Sequence, residues 1–87
     1  MHPYRIITAR DLADYEAALA KGGFDKADFD IEEDVFDPRK AEVEAALGEV
    51  GVHRHANEAV EVYRLGPGFE WVSDFADDLR NGKFGAP

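Results

Sequence analysis

The chain contains no cysteine. Disulfides, CxxC redox chemistry, thiolate metal centres and a cysteine nucleophile are thereby excluded. Hydroxyl nucleophiles are nearly as scarce. Thr8 is the only threonine and Ser73 the only serine, and no G-x-S-x-G elbow surrounds Ser73. No apolar run approaches the roughly 20 residues of a membrane-spanning helix, and the first residues lack the apolar stretch of a secretory leader. The expectation is a soluble, cytoplasmic protein with no membrane partner. Positive charge is also in short supply. Ten Lys and Arg stand against nineteen Asp and Glu, a formal net charge of −9. That balance disfavours generic binding to nucleic acid. Repeats, low-complexity tracts and interdomain linkers are absent, so residues 1–87 are expected to form a single domain. At this size folding buries somewhat over ~60% of the extended surface, which allows a core but no large enclosed chamber.

What remains is rich enough to fold. Apolar residues make up 45% of the chain and aromatics 11%, above a disordered composition. Tyr4 to Thr8, with Ile6 and Ile7 between polar flanks, predicts a short strand. Asp11 to Lys21 predicts an amphipathic helix, because Leu12, Tyr15 and Leu19 recur at helical spacing and Ala17, Ala18 and Ala20 favour the conformation. Asp11 or Thr8 caps its start, and Gly22 and Gly23 end it. Residues 28 to 35 switch to period two. Phe29, Ile31 and Val35 share one parity; Asp28, Asp30, Glu32 and Asp34 share the other. This is an extended ribbon, apolar beneath and anionic above. Glu33 interrupts the apolar row, and a bulge or strand end is expected near it. Asp37-Pro38 signals either a short helix reaching Gly48 or a loop.

Val50 and Val52, then Val60 and Val62, predict a hairpin. A three-residue loop, Ala56-Asn57-Glu58, opposes Val52 to Val62 and His53 to Glu61. It keeps like faces together and is preferred to a two-residue loop at Ala56-Asn57, which opposes Val60 to His53. After Gly66-Pro67-Gly68, a last helix over 69–81 carries Phe69, Val72, Phe75, Ala76 and Leu79 as its apolar stripe. Trp71 sits on its shoulder, Gly82 is its C-terminal cap and Phe84 folds back. The fold class is α+β: a two-layer domain, with a four-stranded, mainly antiparallel sheet and two amphipathic helices on one face, in the order β-α-β-(short α or loop)-β-β-α. That architecture serves many unrelated activities.

Charge layout is the most distinctive feature. Between Asp25 and Glu49, ten carboxylates face three cations, Lys26, Arg39 and Lys40, giving seven of the nine net negative charges. Asp28, Asp30, Glu32 and Asp34, each about 7 Å from the next on one strand face, read in two ways. They form a solvated face that discourages edge pairing, or a docking surface for a basic protein. Counted from Asp28, the positions where an EF-hand loop needs Gly and Glu hold Glu33 and Arg39, so that calcium motif is absent. A mimic of nucleic-acid phosphates would need carboxylates over more than one strand face.

His53 and His55 form an H-x-H pair on a shared strand face, and Glu61 stands opposite His53 in the preferred register. Two His and one carboxylate are a ligand set for zinc or non-haem iron. They are equally an exposed face or a proton-linked interface. Gly66-Pro67-Gly68 ahead of a helix lacks the dinucleotide and Walker patterns, and Glu70 repels an anion there. Trp71, Phe75 and Tyr63 fit a core; an exposed Trp71 would mark a ligand contact. Arg54 and Arg64 are expected to extend past the apolar edge of the hairpin. Nineteen carboxylates single out no acid–base pair.

The resulting expectation is an acidic interaction module, leaning away from catalysis and with no cofactor. It binds a basic protein partner through Asp28, Asp30, Glu32 and Asp34, and homodimerisation is open. The alternative is a small-molecule or metal-binding domain, enzymatic or not, centred on His53, His55 and Glu61.

Overall fold

Helices α1 (Ala9–Lys21) and α2 (Trp71–Arg80) cover one face of an antiparallel sheet. Its strands are β1 (Phe29–Val35), β2 (Gly48–Arg54) and β3 (Val60–Leu65), in the spatial order β1-β2-β3. The structure is a computed structural model, and it describes residues 4–37 and 46–87. The α+β class and the paired helices agree with expectation, but among the described residues the sheet has three strands rather than four. The short helix or loop expected after Asp37-Pro38 lies outside the described residues.

The missing strand is the one expected at Tyr4 to Thr8, which is instead a bend. Ile6 and Ile7 are adjacent, and a strand would send them to opposite faces. The bend buries Ile7 and half-buries Ile6. Its backbone amides find a substitute for a strand partner. The amides of Arg5, Ile6 and Ile7 donate to the Glu33 carboxylate at 2.7, 2.9 and 2.9 Å. Glu33, which breaks the apolar row of β1, is thus the anchor of the N-terminal segment. Converging amides of this kind suit an anionic acceptor.

Thr8 begins α1. Its side chain accepts from the Asp11 amide, and the Asp11 carboxylate accepts from the Thr8 amide, a reciprocal cap. At the other end the Gly23 and Phe24 amides donate to the Ala20 and Leu19 carbonyls. Gly23 takes φ +81° to allow it. The last helix starts at Trp71, two residues later than Phe69, and the Lys83 amide closes it onto the Asp78 carbonyl.

The β1–β2 register sets Asp30 opposite His53, Glu32 opposite Gly51 and Asp34 opposite Glu49. Gly48 is required where the strands meet, because a Cβ there would lie 2.3 Å from the Asp34 carbonyl oxygen. The β2–β3 register differs from the preferred one. Val60 stands opposite His53, and Val52 opposite Glu61. Apolar residues occupy both parities of β3, and bulk decides between them. Tyr63 and Leu65 turn inward, leaving Val60 and Val62 outside at 54% and 55% exposure. Burying Tyr and Leu removes more apolar area from water than burying two valines. The Tyr63 hydroxyl also donates to Asp78 at 2.6 Å.

The core lies between the inward parity of the sheet and the two helices. Phe29, Val50, Val52, Tyr63 and Leu65 meet Tyr15, Leu19, Trp71, Phe75, Leu79 and Phe84. Phe75 is fully buried at its centre. Its ring lies 5.0 Å from Tyr15, 5.4 Å from Phe84 and 6.3 Å from both Phe29 and Tyr63. Trp71 is buried at 4% exposure, so it is a core residue and not an exposed contact. Burial pushes the Tyr15 and Tyr63 phenols above the usual tyrosine range, and the bond to Asp78 adds to the effect at Tyr63.

Candidate functional site

The outward parity of the sheet carries none of the core residues. Three cross-strand rows make up this face: Asp30–His53–Val60, Glu32–Gly51–Val62 and Asp34–Glu49–Arg64. The acidic side chains run along β1, and the valines run along β3. Gly51 lies between them. A Cβ at Gly51 would meet nothing within 4 Å, so the middle of the face is a trough. Two shallow depressions of about 440 and 420 Å³ share Gly51 and Glu32 in their walls; Val62 borders the first and Val60 the second. Asp34 and Glu49 are Cα partners on this face, an arrangement that costs stability when like charges stand opposite each other.

Of the four carboxylates expected to share a face, Asp30, Glu32 and Asp34 do so and are exposed. Asp28 does not. It lies in the 3-10 turn Lys26–Asp28 that precedes β1. Its carboxylate is held by Arg54 Nε at 2.8 Å and by the Ala56 amide at 3.0 Å. A cation thus draws this aspartate away from the acidic face. Arg54 itself is buried, not extended past the sheet edge. Its guanidinium donates to the Phe84 and Ala86 carbonyls and lies over the Phe24 and Phe29 rings, 5.1 and 5.8 Å from their centroids. Asn57 also donates to the Phe84 carbonyl. The C-terminal segment is thereby fastened to the hairpin through a charged side chain that donates to Asp28, Phe84 and Ala86 together.

The histidine pair survives with different company. His53 is at the end of β2 and faces outward; His55 follows in the turn. Their rings meet edge to face at 5.0 Å. Glu61 does not join them, because the observed register puts it opposite Val52 on the inner parity. Asp30 and Glu58 take its place. Asp30 Oδ2 lies 2.8 Å from His55 Nε2, and Glu58 Oε2 lies 3.1 Å from His53 Nε2. Glu58 occupies the left-handed region at φ +60°. The H-x-H spacing pointed to the histidines. Nothing local in sequence pointed to Asp30 as their partner, since that follows from the β1–β2 register.

A further groove of about 740 Å³ lies along the helices at the Gly66-Pro67-Gly68 turn. Ile6, Leu47, Pro67, Trp71 and Val72 line it, with Asp11, Asp14, Glu70 and Lys21 also in its wall. The turn itself is explained by backbone geometry, with Gly66 at φ +134° and Gly68 at φ +85°. The Trp71 indole N–H is buried with no hydrogen-bond partner among the described residues. Also among the described residues, no helix is long and apolar enough to cross a membrane.

No protein-family model, curated protein or solved structure matches the chain.

Proposed function

We propose that this chain is an interaction module that docks a basic, aliphatic-bearing segment of another protein on the uncovered face of its sheet. The observation that carries the reading is the pairing of two surfaces on one face. Exposed Asp30, Glu32 and Asp34 run beside half-exposed Val60 and Val62, across the trough over Gly51. A solvated face needs no exposed valines, and an aliphatic patch needs no acidic border. Together they suit a segment in which Lys or Arg alternates with aliphatic residues. Charge complementarity favours this occupant over a second copy, because a second copy carries a net charge of −9 and would bring it against an already acidic face. Asp28, engaged with Arg54, is not part of the docking surface.

Selection of a random displayed-peptide library on the immobilised chain tests the reading. Enriched peptides are expected to be basic with interleaved aliphatic residues, and to bind more weakly as salt rises. The triple variant Asp30→Asn, Glu32→Gln, Asp34→Asn should weaken them at least about tenfold, a loss of about 1.4 kcal/mol. A charge-matched control, Asp14→Asn, Glu70→Gln, Asp74→Asn, should not. Neutral or acidic peptides, or equal loss in both variants, would remove the proposal.

A further inference from the structure

We propose that Asp30, His53 and His55 form a binding site for a divalent late first-row transition ion. The three residues come from a strand, its neighbour and the following turn, yet one ligand atom from each lies within 4.8 Å of the others. Zinc takes nitrogen and oxygen ligands at about 2.0–2.2 Å, so tetrahedral donors lie about 3.3 Å apart. Asp30 Oδ2 and His55 Nε2 are already 2.8 Å apart, and a ligand nitrogen of His53 lies within 4.8 Å of a ligand atom of each. Small side-chain rotations therefore reach the required geometry. The donor set, two imidazoles with a carboxylate, suits zinc, nickel or copper better than calcium or magnesium, which prefer oxygen alone.

The backbone beneath the site is already ordered. Asp30 and His53 are Cα partners in the sheet. The His55 amide donates to the Asp28 carbonyl at 2.8 Å, and the Ala56 amide to the Asp28 carboxylate. Arg54, between the histidines, points to the opposite face and is held by Asp28, Phe84 and Ala86. Binding a metal thus demands little ordering of the chain. The ligands stay accessible, with 69% of the Asp30, 32% of the His53 and 47% of the His55 side chain exposed, which leaves an entry path.

Zinc is the probe. The metal-free 87-residue chain, titrated by calorimetry, is expected to take up a single equivalent saturably. Its histidine side-chain nitrogen resonances at His53 and His55 should shift together. Asp30→Asn, His53→Gln and His55→Gln should each weaken uptake at least about tenfold, the loss expected even from an outer-shell partner. Glu61→Gln and His2→Gln should leave it unchanged. The ligands are exposed, so these variants should keep the parent circular dichroism spectrum. Zinc should raise the melting temperature of the parent and not of His55→Gln. Absence of saturable uptake, or uptake undiminished in folded His55→Gln, would overturn the site.

Discussion

Replacing Gly51 by threonine should make the protein more stable and less able to bind. Gly51 sits in the middle of β2, opposite Glu32 on one side and Val62 on the other. A Cβ there meets no atom within 4 Å, so the substitution introduces no clash. Removing a mid-strand glycine recovers about 0.5–1 kcal/mol of backbone entropy. A β-branched side chain beside Val62 adds a cross-strand contact of about 0.2–1 kcal/mol. The net gain is about 1 kcal/mol, equivalent to a rise of about 4–8 °C in melting temperature for a domain of this size. The same side chain stands in the trough between the acidic row and the valines, where the docked segment would lie. Peptides selected on the parent chain should therefore bind Gly51→Thr at least about tenfold more weakly. Thermal melting followed by circular dichroism and fluorescence-polarisation binding read the two effects separately. A lower melting temperature would refute the register that leaves Gly51 open. A higher melting temperature with undiminished affinity would refute docking over the trough.

Glu33→Gln should cost about 2–3 kcal/mol, because an amide nitrogen replaces one of the oxygens that accept from Arg5, Ile6 and Ile7. Urea denaturation measures the loss, and hydrogen exchange should show reduced protection of those amides. Arg54→Lys should cost about 2–4 kcal/mol, since an ammonium cannot reproduce the planar fork shared among Asp28, Phe84 and Ala86. Unchanged stability would mean that the C-terminal segment is fastened by its aromatic contacts alone. Tyr15 and Tyr63 keep their protons in the folded chain above the usual tyrosine range. The unfolded chain releases them near pH 10. Above that pH the native state binds more protons, so stability falls as pH rises further. Their tyrosinate absorbance should appear together with the loss of far-ultraviolet circular dichroism; ionisation in a still-folded chain would contradict their burial.

Both helices were legible because their signals are local. Thr8 and Asp11 cap α1 across a single turn, Gly23 closes it, and Phe75 and Leu79 mark the buried face of α2, although that face is centred nearer Trp71, read as its shoulder, than the half-buried Val72 and Ala76. The alternation over β1 was equally plain. Features set by distant partners were not. Ile6 and Ile7 read as a strand until Glu33 is seen to accept from their amides. In β3 both parities are apolar, and the choice rests on the fit of Tyr63 and Leu65 against α2 and on the bond to Asp78. Arg54 reads as a surface cation until residues 28, 84 and 86 are brought around it. The site followed the same rule. Exposed Asp30, Glu32 and Asp34 were readable from period two, whereas the exposed Val60 and Val62, and the meeting of Asp30 with His53 and His55, depend on strand register. A single-residue change in register exchanged the two faces of β3.

The most direct test of docking on the uncovered sheet face is nuclear magnetic resonance mapping of a selected basic peptide on the labelled 87-residue chain. Shifts are predicted at the Gly51 amide, the Val60 and Val62 methyls and the amides of Asp30, Glu32 and Asp34, with α1 and α2 undisturbed. Shifts concentrated instead on Trp71, Val72 and Ala76, along the helices, would contradict it.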